Sequence, residues 1–579
     1  MVRPLYRSFR DSYSRDIYIP DGGITVPPAV MTEARSVADI RELSSDRPPQ
    51  NIILHTDPGL RVTGQEGETL GNLYDVLSLC TRTVPVIYVA DPGTPAALAG
   101  FADFNNLADA LICAPFGKRE LLESAYSLIP YIRCMADFRG EEELIPEDRA
   151  ALPSELVASG AVTALFAPGV LSREDIDVIQ RRFIHIYLED GGDPAAVLAA
   201  GANGILTEDP GAVYDLYSRF PAGTLFKKRR LNAHKGFQND GKYLENSITG
   251  VTAAGRYGFD AAEIDVKLTA DGVPIVMHNT TTKGMFEGEE RAVEKSTYSE
   301  LASMKRTVHP EEGVDRFDDL MKAMKKWPET PVVIEIKPGR ATNGVEELVR
   351  LTGEILAREE SQAHPLCIMG DIPPGYSYIH SHLPRLPFGM CEGGKSEPPR
   401  SRSEAEDLLW RVSLLSKGCA AAYNPEDVMI NSLFMLYANF RGLCVFAWSR
   451  SSFFKPSQWS ENGPGCDRTY ISGYDSWTMD HGEKYFSYPV SIDPAPGMKL
   501  RFGTGERFVP KVLCRYMNLP SDEAEAGAVV LEGELSRDAD GRFYSEKPGS
   551  CRVMFSLRET LHFGDGFTLC TEPLTLEFE

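Results

Sequence analysis

The sequence has no apolar run approaching the ~20 residues that a membrane-spanning helix requires. Its first residues, MVRPLYRSFRDSYSRD, also lack the apolar core of a secretory signal. The 11 cysteines are scattered, include no Cys-x-x-Cys pair and are odd in number. These absences favour a cytoplasmic protein with reduced, buried thiols. A dispersed set of disulfides is the alternative that the cysteine count leaves open.

Basic charge is also scarce, because 60 lysines and arginines face 83 acidic residues, which gives a net charge of −23. This balance argues against a general nucleic-acid-binding protein and against electrostatic docking on an anionic membrane. The apolar content is 42% and the charges are mixed in sign, as in soluble globular proteins. A chain of 579 residues predicts roughly three or four domains, or fewer if barrels are involved.

The stretch 231–279 carries the strongest pattern in the chain. Two apolar runs, FDAAEIDVKL and VPIVMHN, flank the turn signal ADG, which predicts two successive strands. Glu263 and Asp265 are two residues apart on the first of these strands. Because strand side chains alternate between faces, both carboxylates point to one side.

Further polar residues lie at or near the ends of predicted strands. His234 precedes a Lys-Gly pair, His278 ends the second strand, and the run PVVIEIKP puts Glu335 and Lys337 on one strand face. Three carboxylates, two histidines and a lysine can together form a site for a hard metal ion with an acid–base pair. For one carboxylate alone, a salt-bridged strand end would be the simpler interpretation.

These residues fall into short motifs in a fixed order. The pieces are His234-Lys235-Gly236, Glu245-Asn246-Ser247, Glu263-Ile264-Asp265, Asp271-Gly272-Val273-Pro274 followed by His278-Asn279, and Glu335-Ile336-Lys337-Pro338. Their order and spacing resemble the pattern of the glycerophosphodiester phosphodiesterase family. The motifs lie within about a hundred residues, and the (β/α)8 barrel that the resemblance implies covers less than half of the chain.

The resemblance implies hydrolysis of a glycerophosphodiester, a small-molecule phosphodiester substrate, to glycerol 3-phosphate and an alcohol, within lipid metabolism. It implies a divalent metal, Mg²⁺ or Ca²⁺, held by Glu263, Asp265 and Glu335, whose hard oxygen atoms suit such ions. It assigns proton transfer to His234 and His278, a role for which histidine is suited because it titrates near neutral pH.

The resemblance also implies that Lys235 and Lys337 hold phosphate oxygens. Two positions depart from the family pattern, since Lys235 replaces an arginine and Asn279 replaces an aspartate. Lysine supplies a point charge without the planar fork of arginine. The loss of a carboxylate beside His278 is expected to lower the pKa of that histidine relative to the family pattern.

Two other functions therefore stay open. One is a phospholipase-like or sugar-phosphodiester hydrolase on the same fold, which the two departures and an aromatic insert would fit. That insert, residues 450–468, carries Phe453, Phe454 and Trp459, which could cap a substrate or pack beneath their own loop. The other is a non-catalytic ligand-binding or scaffold protein, against which the presence of all the carboxylates and both histidines argues.

The N-terminal 1–228 segment alternates short apolar runs with helix-like stretches, which predicts a first parallel α/β barrel. It resembles a degenerate tandem copy of the same family. In the alignment that we expect, Ile52–Thr56 parallels Ile275–Asn279. Val89 and Asp91 then replace Glu335 and Lys337. This barrel is predicted to bind no catalytic metal and to have a structural or regulatory role, and His55 is expected to be a packed or surface histidine rather than a catalytic one.

The fold prediction is thus α/β, with two tandem TIM-type barrels and a C-terminal β domain. We expect domain boundaries at 1–228 for the degenerate barrel, 229–484 for the catalytic barrel and 485–579 for an all-β sandwich. For that sandwich, glycan binding, packing and a role in a homo-oligomer all stay open. The basic run Lys227–Arg230 is expected to be a solvated linker. The last barrel strand is expected within TYISGYD (469–475).

Overall fold

We describe the chain from a computed structural model. The structure describes residues 16–64, 67–102, 107, 109–239, 241–337, 344–359, 365–370, 375–393, 397–416, 421–449, 468–562 and 564–579. The three aromatic residues of the predicted insert lie outside these ranges. None of the helices within them combines the length and the apolarity that a bilayer crossing would need.

The first half of the chain is a closed barrel of parallel strands in the order β1-β10-β9-β8-β7-β6-β5-β2. A small antiparallel hairpin, β3 and β4, follows the second barrel strand. The strands are β1 (Ala29–Glu33), β2 (Asn51–His55), β3 (Arg61–Thr63), β4 (Thr69–Asn72), β5 (Val84–Tyr88), β6 (Leu111–Pro115), β7 (Arg133–Asp137), β8 (Ala161–Phe166), β9 (His185–Glu189) and β10 (Gly204–Leu206). The alternating helices are Val37–Glu42, Leu73–Leu79, Thr94–Ala102, Glu120–Leu128, Leu152–Ala158, Arg173–Gln180, Pro194–Ala200 and Pro210–Tyr217.

The second half repeats this architecture, with the order β11-β19-β18-β17-β16-β15-β14-β12 closed by pairing of β11 with β12. Strand β13 pairs antiparallel with β12 and stands outside the ring. The strands are β11 (Leu231–Ala233), β12 (Ala261–Leu268), β13 (Pro274–Val276), β14 (Val332–Ile336), β15 (Leu366–Gly370), β16 (Phe388–Glu392), β17 (Ala422–Pro425), β18 (Cys444–Trp448) and β19 (Ser476–Met479). Its helices are Ile248–Tyr257, Tyr298–Ala302, Phe317–Met324, Val345–Glu359, Gly375–His382, Arg402–Leu415 and Ser432–Phe440. The predicted pair of α/β barrels is therefore confirmed.

Local sequence accounts for the helix that follows β11. Ser247 caps its N-terminus by accepting a hydrogen bond from the Gly250 N–H at 3.0 Å, which satisfies one of the free donors of the first turn. Gly258 ends the helix with φ of 76°, a left-handed conformation that glycine adopts without steric cost. The helix start is thereby fixed beside the site-bearing strand β12.

The two barrels pack against each other through the N-terminal ends of their strands. The Asn51 side chain donates to the Phe440 carbonyl at 2.9 Å, and the Arg133 guanidinium donates to the Arg441 carbonyl at 2.9 Å. The ring centroids of Phe183 and Phe446 are 4.8 Å apart. Since the carboxyl ends of the strands lie away from this seam, the two barrel mouths open in opposite directions.

The basic run Lys227–Arg230 corrects a prediction. It is not a solvated linker, because Lys227, Arg229 and Arg230 are all buried at the seam. The Lys227 ammonium lies 2.9 Å from Asp475, and the Arg230 guanidinium lies 2.8 Å from Asp177. The sequence pattern misled because its carboxylate partners are distant in the chain. In the sequence alone, a basic run whose acidic partners are distant looks the same as a basic run exposed to solvent.

The C-terminal segment is built of β sheets. One sheet has the order β20-β22-β23, another has β21-β29-β27-β24 with β28 paired to β27, and β25 pairs with β26. Their bounds are β20 (Ser491–Pro494), β21 (Arg501–Phe502), β22 (Lys511–Arg515), β23 (Asp522–Glu525), β24 (Gly527–Glu532), β25 (Ser536–Arg537), β26 (Phe543–Tyr544), β27 (Gly549–Thr560), β28 (Gly566–Cys570) and β29 (Leu574–Phe578). Val529 and Leu531 join the helix-facing core of the first barrel, so this β domain packs against that barrel.

Strand β1 lies in an N-terminal stretch for which the sequence predicted no strand. One further sequence expectation was wrong. The segment TYISGYD is not a strand, and β19 follows it at Ser476–Met479. Gly473 turns the chain there with φ of 86°, and a Cβ at this position would lie 2.5 Å from Val26. A turn needed for close packing therefore replaces the expected strand.

Candidate active site at the mouth of the second barrel

Three carboxylates converge inside the mouth of the second barrel. Glu263 and Asp265 lie on β12, and Glu335 lies directly beside Asp265 in the register with β14. Each offers an oxygen atom within 4.8 Å of the others. Glu263 and Asp265 are 2% and 1% exposed. The spacing of two residues that predicted a shared face therefore leads to a compact, buried oxygen cluster.

The loop after β11 holds two of these carboxylates in place. The Lys235 backbone N–H donates to Glu263 Oε2 at 2.8 Å. The Asn246 side chain both donates to Asp265 Oδ2 at 2.8 Å and accepts from the Asp265 N–H at 2.9 Å. Lys235 and Asn246 have positive φ angles of 53° and 48°, an uncommon conformation for residues other than glycine. The sequence motif gave no role to Asn246, which orients Asp265.

The cluster fits a hard divalent cation by its chemistry. Glu263 Oε1 is buried and makes no hydrogen bond within the described residues. Burial and the charge of Asp265 raise the pKa of Glu263 to about 8. Burial and neighbouring negative charge both disfavour the charged form of this carboxyl, and a bound cation would relieve both effects. The donors are all oxygen atoms, which suits Mg²⁺ or Ca²⁺ rather than a softer metal.

Lys337 lies against the same carboxylates. Its ammonium is 2.7 Å from Glu335 Oε1 and 3.2 Å from Asp265 Oδ1. Burial disfavours the charged form of Asp265, but Lys337 and then His278 outweigh it and hold the pKa of Asp265 well below its usual range. Lys337 therefore neutralises part of the negative charge of the cluster.

His234 lies on one side of the cluster. Its Nδ1 is 2.6 Å from Asp480 Oδ1, and its Nε2 is 4.0 Å from Glu263 Oε2. Burial lowers the pKa of His234, but the hydrogen bond to Asp480 and the charges of Asp480 and Glu263 outweigh this effect and raise it to about 9. Asp480 was not predicted from the sequence. Its position directly after the last barrel strand was the available signal, and misplacing that strand obscured it.

His278 follows the hairpin strand β13. Its Nδ1 lies 3.0 Å from the Asn279 side-chain oxygen, so the residue that replaces the family's aspartate still contacts the ring. Burial lowers the pKa of His278, and the nearby Asp265 charge offsets this effect only in part. The two predicted acid–base histidines thus have pKa values shifted in opposite directions.

Lys235 completes the set of predicted residues. Its ammonium lies 3.6 Å from Glu245 Oε2, and its charge lowers the pKa of both Asp265 and His278. It therefore faces the same mouth as the cluster. The structure brings together all seven predicted residues, namely His234, Lys235, Glu263, Asp265, His278, Glu335 and Lys337.

The mouth of the first barrel has a different constellation. His55 pairs with Tyr88 between β2 and β5, as Asp265 pairs with Glu335 between β12 and β14. By this register Ile53, His55 and Tyr88 occupy the three carboxylate positions. The expected alignment with Ile275–Asn279 was wrong, because β13 is outside the ring. The match of Val89 to Glu335 was also wrong, because Val89 faces the helices and a slip of one residue reverses the face.

His55 is not isolated at that mouth. Its Nε2 lies 2.6 Å from Glu33 Oε1. Burial raises the pKa of Glu33, but His55 and Arg139 outweigh it and lower that pKa to about 2. Within the described part of the chain, the other groupings of potential metal ligands are His185, Cys444 and Asp475 at the seam and His309, Glu311 and Glu312 in a loop. Neither lies at the first mouth.

Comparison with known families agrees with this geometry. Residues 234–369 match the model of the Glycerophosphoryl diester phosphodiesterase family. The matched segment lies within the second barrel. The match begins at His234 and includes every predicted site residue, whereas Asp480 lies beyond it. No curated protein matches the chain.

Several solved structures are similar to this chain over somewhat less than half of its length. A glycerophosphodiester phosphodiesterase from Parabacteroides distasonis is 18% identical with a TM-score of 0.35, and the match covers 45% of this chain and 95% of that one. An Oleispira antarctica phosphodiesterase, solved with the product sn-glycerol-3-phosphate, is 17% identical with a TM-score of 0.35, covering 44% and 95%. A putative glycerophosphoryl diester phosphodiesterase from Silicibacter pomeroyi is 20% identical with a TM-score of 0.37, covering 45% and 92%.

Proposed function

We propose that the second barrel hydrolyses a glycerophosphodiester to glycerol 3-phosphate and an alcohol, with the help of a divalent metal ion and two histidines. The observation that carries the proposal is the largely buried cluster of Glu263, Asp265 and Glu335, which includes a Glu263 oxygen without a hydrogen bond and has a histidine on either side. The domain match supports the substrate class.

The residues of the site divide the chemical work. A divalent ion held by the three carboxylates would neutralise the phosphodiester charge that repels a nucleophile. Lys235 and Lys337 bring positive charge to the same mouth and would bind the remaining phosphate oxygens. The lowered pKa of His278 suits it to accept a proton from the attacking hydroxyl, and the raised pKa of His234 suits it to donate one to the departing alcohol.

The direct test is incubation of the full chain with glycerophosphocholine and Mg²⁺ or Ca²⁺, followed by ³¹P NMR. We expect a phosphodiester resonance to be replaced by that of glycerol 3-phosphate, and a chelator to prevent the change. Formation of a different phosphate ester would instead support a phospholipase-like or sugar-phosphodiester hydrolase. Absence of turnover across a panel of diesters, with the metal bound, would favour a ligand-binding or scaffold role.

Replacement of either histidine by alanine is expected to lower kcat by about 10²-fold or more, because each removes one proton-transfer group. The affinity for Ca²⁺, measured by isothermal titration, should change little, since the carboxylates supply the proposed ligands. His562→Ala is a suitable control because His562 is an exposed residue of the β domain. Near-full activity of His234→Ala or of His278→Ala would exclude that residue from acid–base catalysis.

Asn279→Asp is expected to raise the pKa of His278. A carboxylate beside the ring favours its charged form, so the ascending limb of the pH–kcat profile, which reports a base that must be neutral, should move to higher pH. The control is Asn518→Asp, an exposed residue of the β domain. A limb that stays in place, or moves to lower pH, would contradict the assignment of His278 as the base.

We infer that the first barrel is a degenerate copy of the second. The shared strand order, with a hairpin after the second strand in both halves, supports this inference. Ile53 and Tyr88 at two of the three carboxylate positions leave too few hard ligands for a catalytic metal. We propose domain boundaries of 1–228, 229–484 and 485–579 on the same basis, with the first barrel in a structural or regulatory role.

A further inference from the structure

The carboxylate of Asp480, directly after the last strand of the second barrel, lies beside His234. Strands β11 and β19 are parallel neighbours, with Ala233 beside Met479. The next residue on each strand is therefore His234 on one side and Asp480 on the other. The His234 N–H donates to the Met479 carbonyl at 3.2 Å, which continues the ladder. Barrel closure itself thus fixes the distance between the histidine backbone and Asp480.

The two side chains meet within this fixed frame. His234 Nδ1 and Asp480 Oδ1 are 2.6 Å apart, a short distance for a hydrogen bond involving a carboxylate. Both side chains are 19% exposed, so water has limited access to the contact. With Nδ1 engaged, Nε2 is the ring atom that faces the carboxylate cluster, 4.0 Å from Glu263.

We propose that Asp480 is the positioning residue for His234, holding a proton on Nδ1 and directing Nε2 toward the substrate phosphate. This inference rests on the proposed function, because it assigns Nε2 as the atom that exchanges a proton with the reacting oxygen. A free imidazole ring can rotate and can carry its proton on either nitrogen. A carboxylate on Nδ1 removes both freedoms and leaves Nε2 in one orientation.

The assignment extends the active site beyond the segment that matches the family model. That segment ends at residue 369, whereas Asp480 follows β19, the strand that closes the ring next to β11. A second barrel truncated after the matched segment would keep every site residue that was predicted from the sequence. It would lack the group that orients His234. The closing strand is thus required for a complete site and for a closed fold.

The test compares Asp480→Ala with the wild-type full chain, and Asp540→Asn, an exposed β-domain variant, serves as the control. With a metal-loaded diester assay, Asp480→Ala should lower kcat by about 10-fold to 10²-fold, with KM and Ca²⁺ affinity within about twofold. A merely structural role would disturb KM and metal binding together with kcat. An unchanged kcat in Asp480→Ala would overturn the proposal.

A second readout does not depend on activity. In protein labelled with ¹⁵N-histidine, with and without Ca²⁺, a downfield Nδ1–H resonance that disappears in His234→Ala identifies the hydrogen bond. We expect it to persist in Asp540→Asn and to vanish in Asp480→Ala. A wild-type His234 without a protonated Nδ1 would refute the positioning role. If this resonance behaves as expected while no diester is turned over, the proposed function fails and the His234–Asp480 contact stands.

Discussion

Asp265→Asn is expected to abolish both the binding of a divalent metal and the hydrolysis of the diester. Asparagine preserves the shape of the side chain but removes the charge at the centre of the cluster, where Glu335 lies in register beside it. Changes in residues that only support a metal ligand reduce affinity or activity by ~10–100-fold, so loss of a ligand should exceed about 10²-fold. Isothermal titration with Ca²⁺ and the ³¹P assay measure the two effects.

The matched control is Asp319→Asn, an exposed aspartate on a helix of the same barrel. It should leave both quantities unchanged. The same titration examines the first barrel, since the wild-type chain should bind one catalytic ion and Asp265→Asn none. An ion that still binds tightly to Asp265→Asn would place a metal elsewhere in the chain, and normal turnover would remove Asp265 from the site.

Asp475→Asn is expected to lower the free energy of unfolding by about 3–5 kcal/mol, because it leaves a buried cation without its partner. The Asp475 carboxylate accepts hydrogen bonds from the Lys227 ammonium at 2.9 Å and from the Val445 N–H at 2.8 Å. Both charged residues are buried at the seam between the barrels. Urea unfolding followed by tryptophan fluorescence measures the change.

The exposed pair of Arg515 and Asp493 provides the control, and Asp493→Asn should cost only about 0–1 kcal/mol. The effect at Asp475 should also depend on pH. Burial opposes ionisation, but the charge of the Lys227 ammonium outweighs it and holds the pKa of Asp475 well below its usual range. Since its folded pKa lies below the unfolded value of ~3.9, the stabilisation is present above about pH 5 and is lost as the pH falls. Equal costs at both positions would show that burial does not strengthen the seam pair.

Sequence patterns predicted the parts of the site that depend on local periodicity. Glu263 and Asp265 alternate along one strand, and the strand of Glu335 could be found from its apolar run. The contacts of Asn246 and Asp480 were beyond such reasoning. Asn246 acts through a left-handed backbone conformation, and Asp480 reaches His234 only when the first and last strands become neighbours. Neither condition produces a periodic pattern in the sequence.

The same limit explains the errors in the rest of the fold. The charges of Lys227 and Arg230 suggested solvent exposure, because Asp475 and Asp177 approach them only in the folded chain. The alignment of the first half with the second was wrong at Val89. It matched runs of similar residues and did not take into account which face of the strand each residue occupies. Sheet register, which is a property of paired strands, was needed to correct it.

The seam between the barrels has a consequence for how this chain can change over evolution. Loops at the two mouths point away from each other, so either set can lengthen or shorten without obstructing the other. Turns at the seam have no such latitude. Gly442 has φ of 59°, and a Cβ there would lie 2.4 Å from Thr163 of the other barrel. Insertions, deletions and substitutions are therefore expected to accumulate in the loops at the two mouths. The turns at the seam are constrained, because each barrel packs against those of the other.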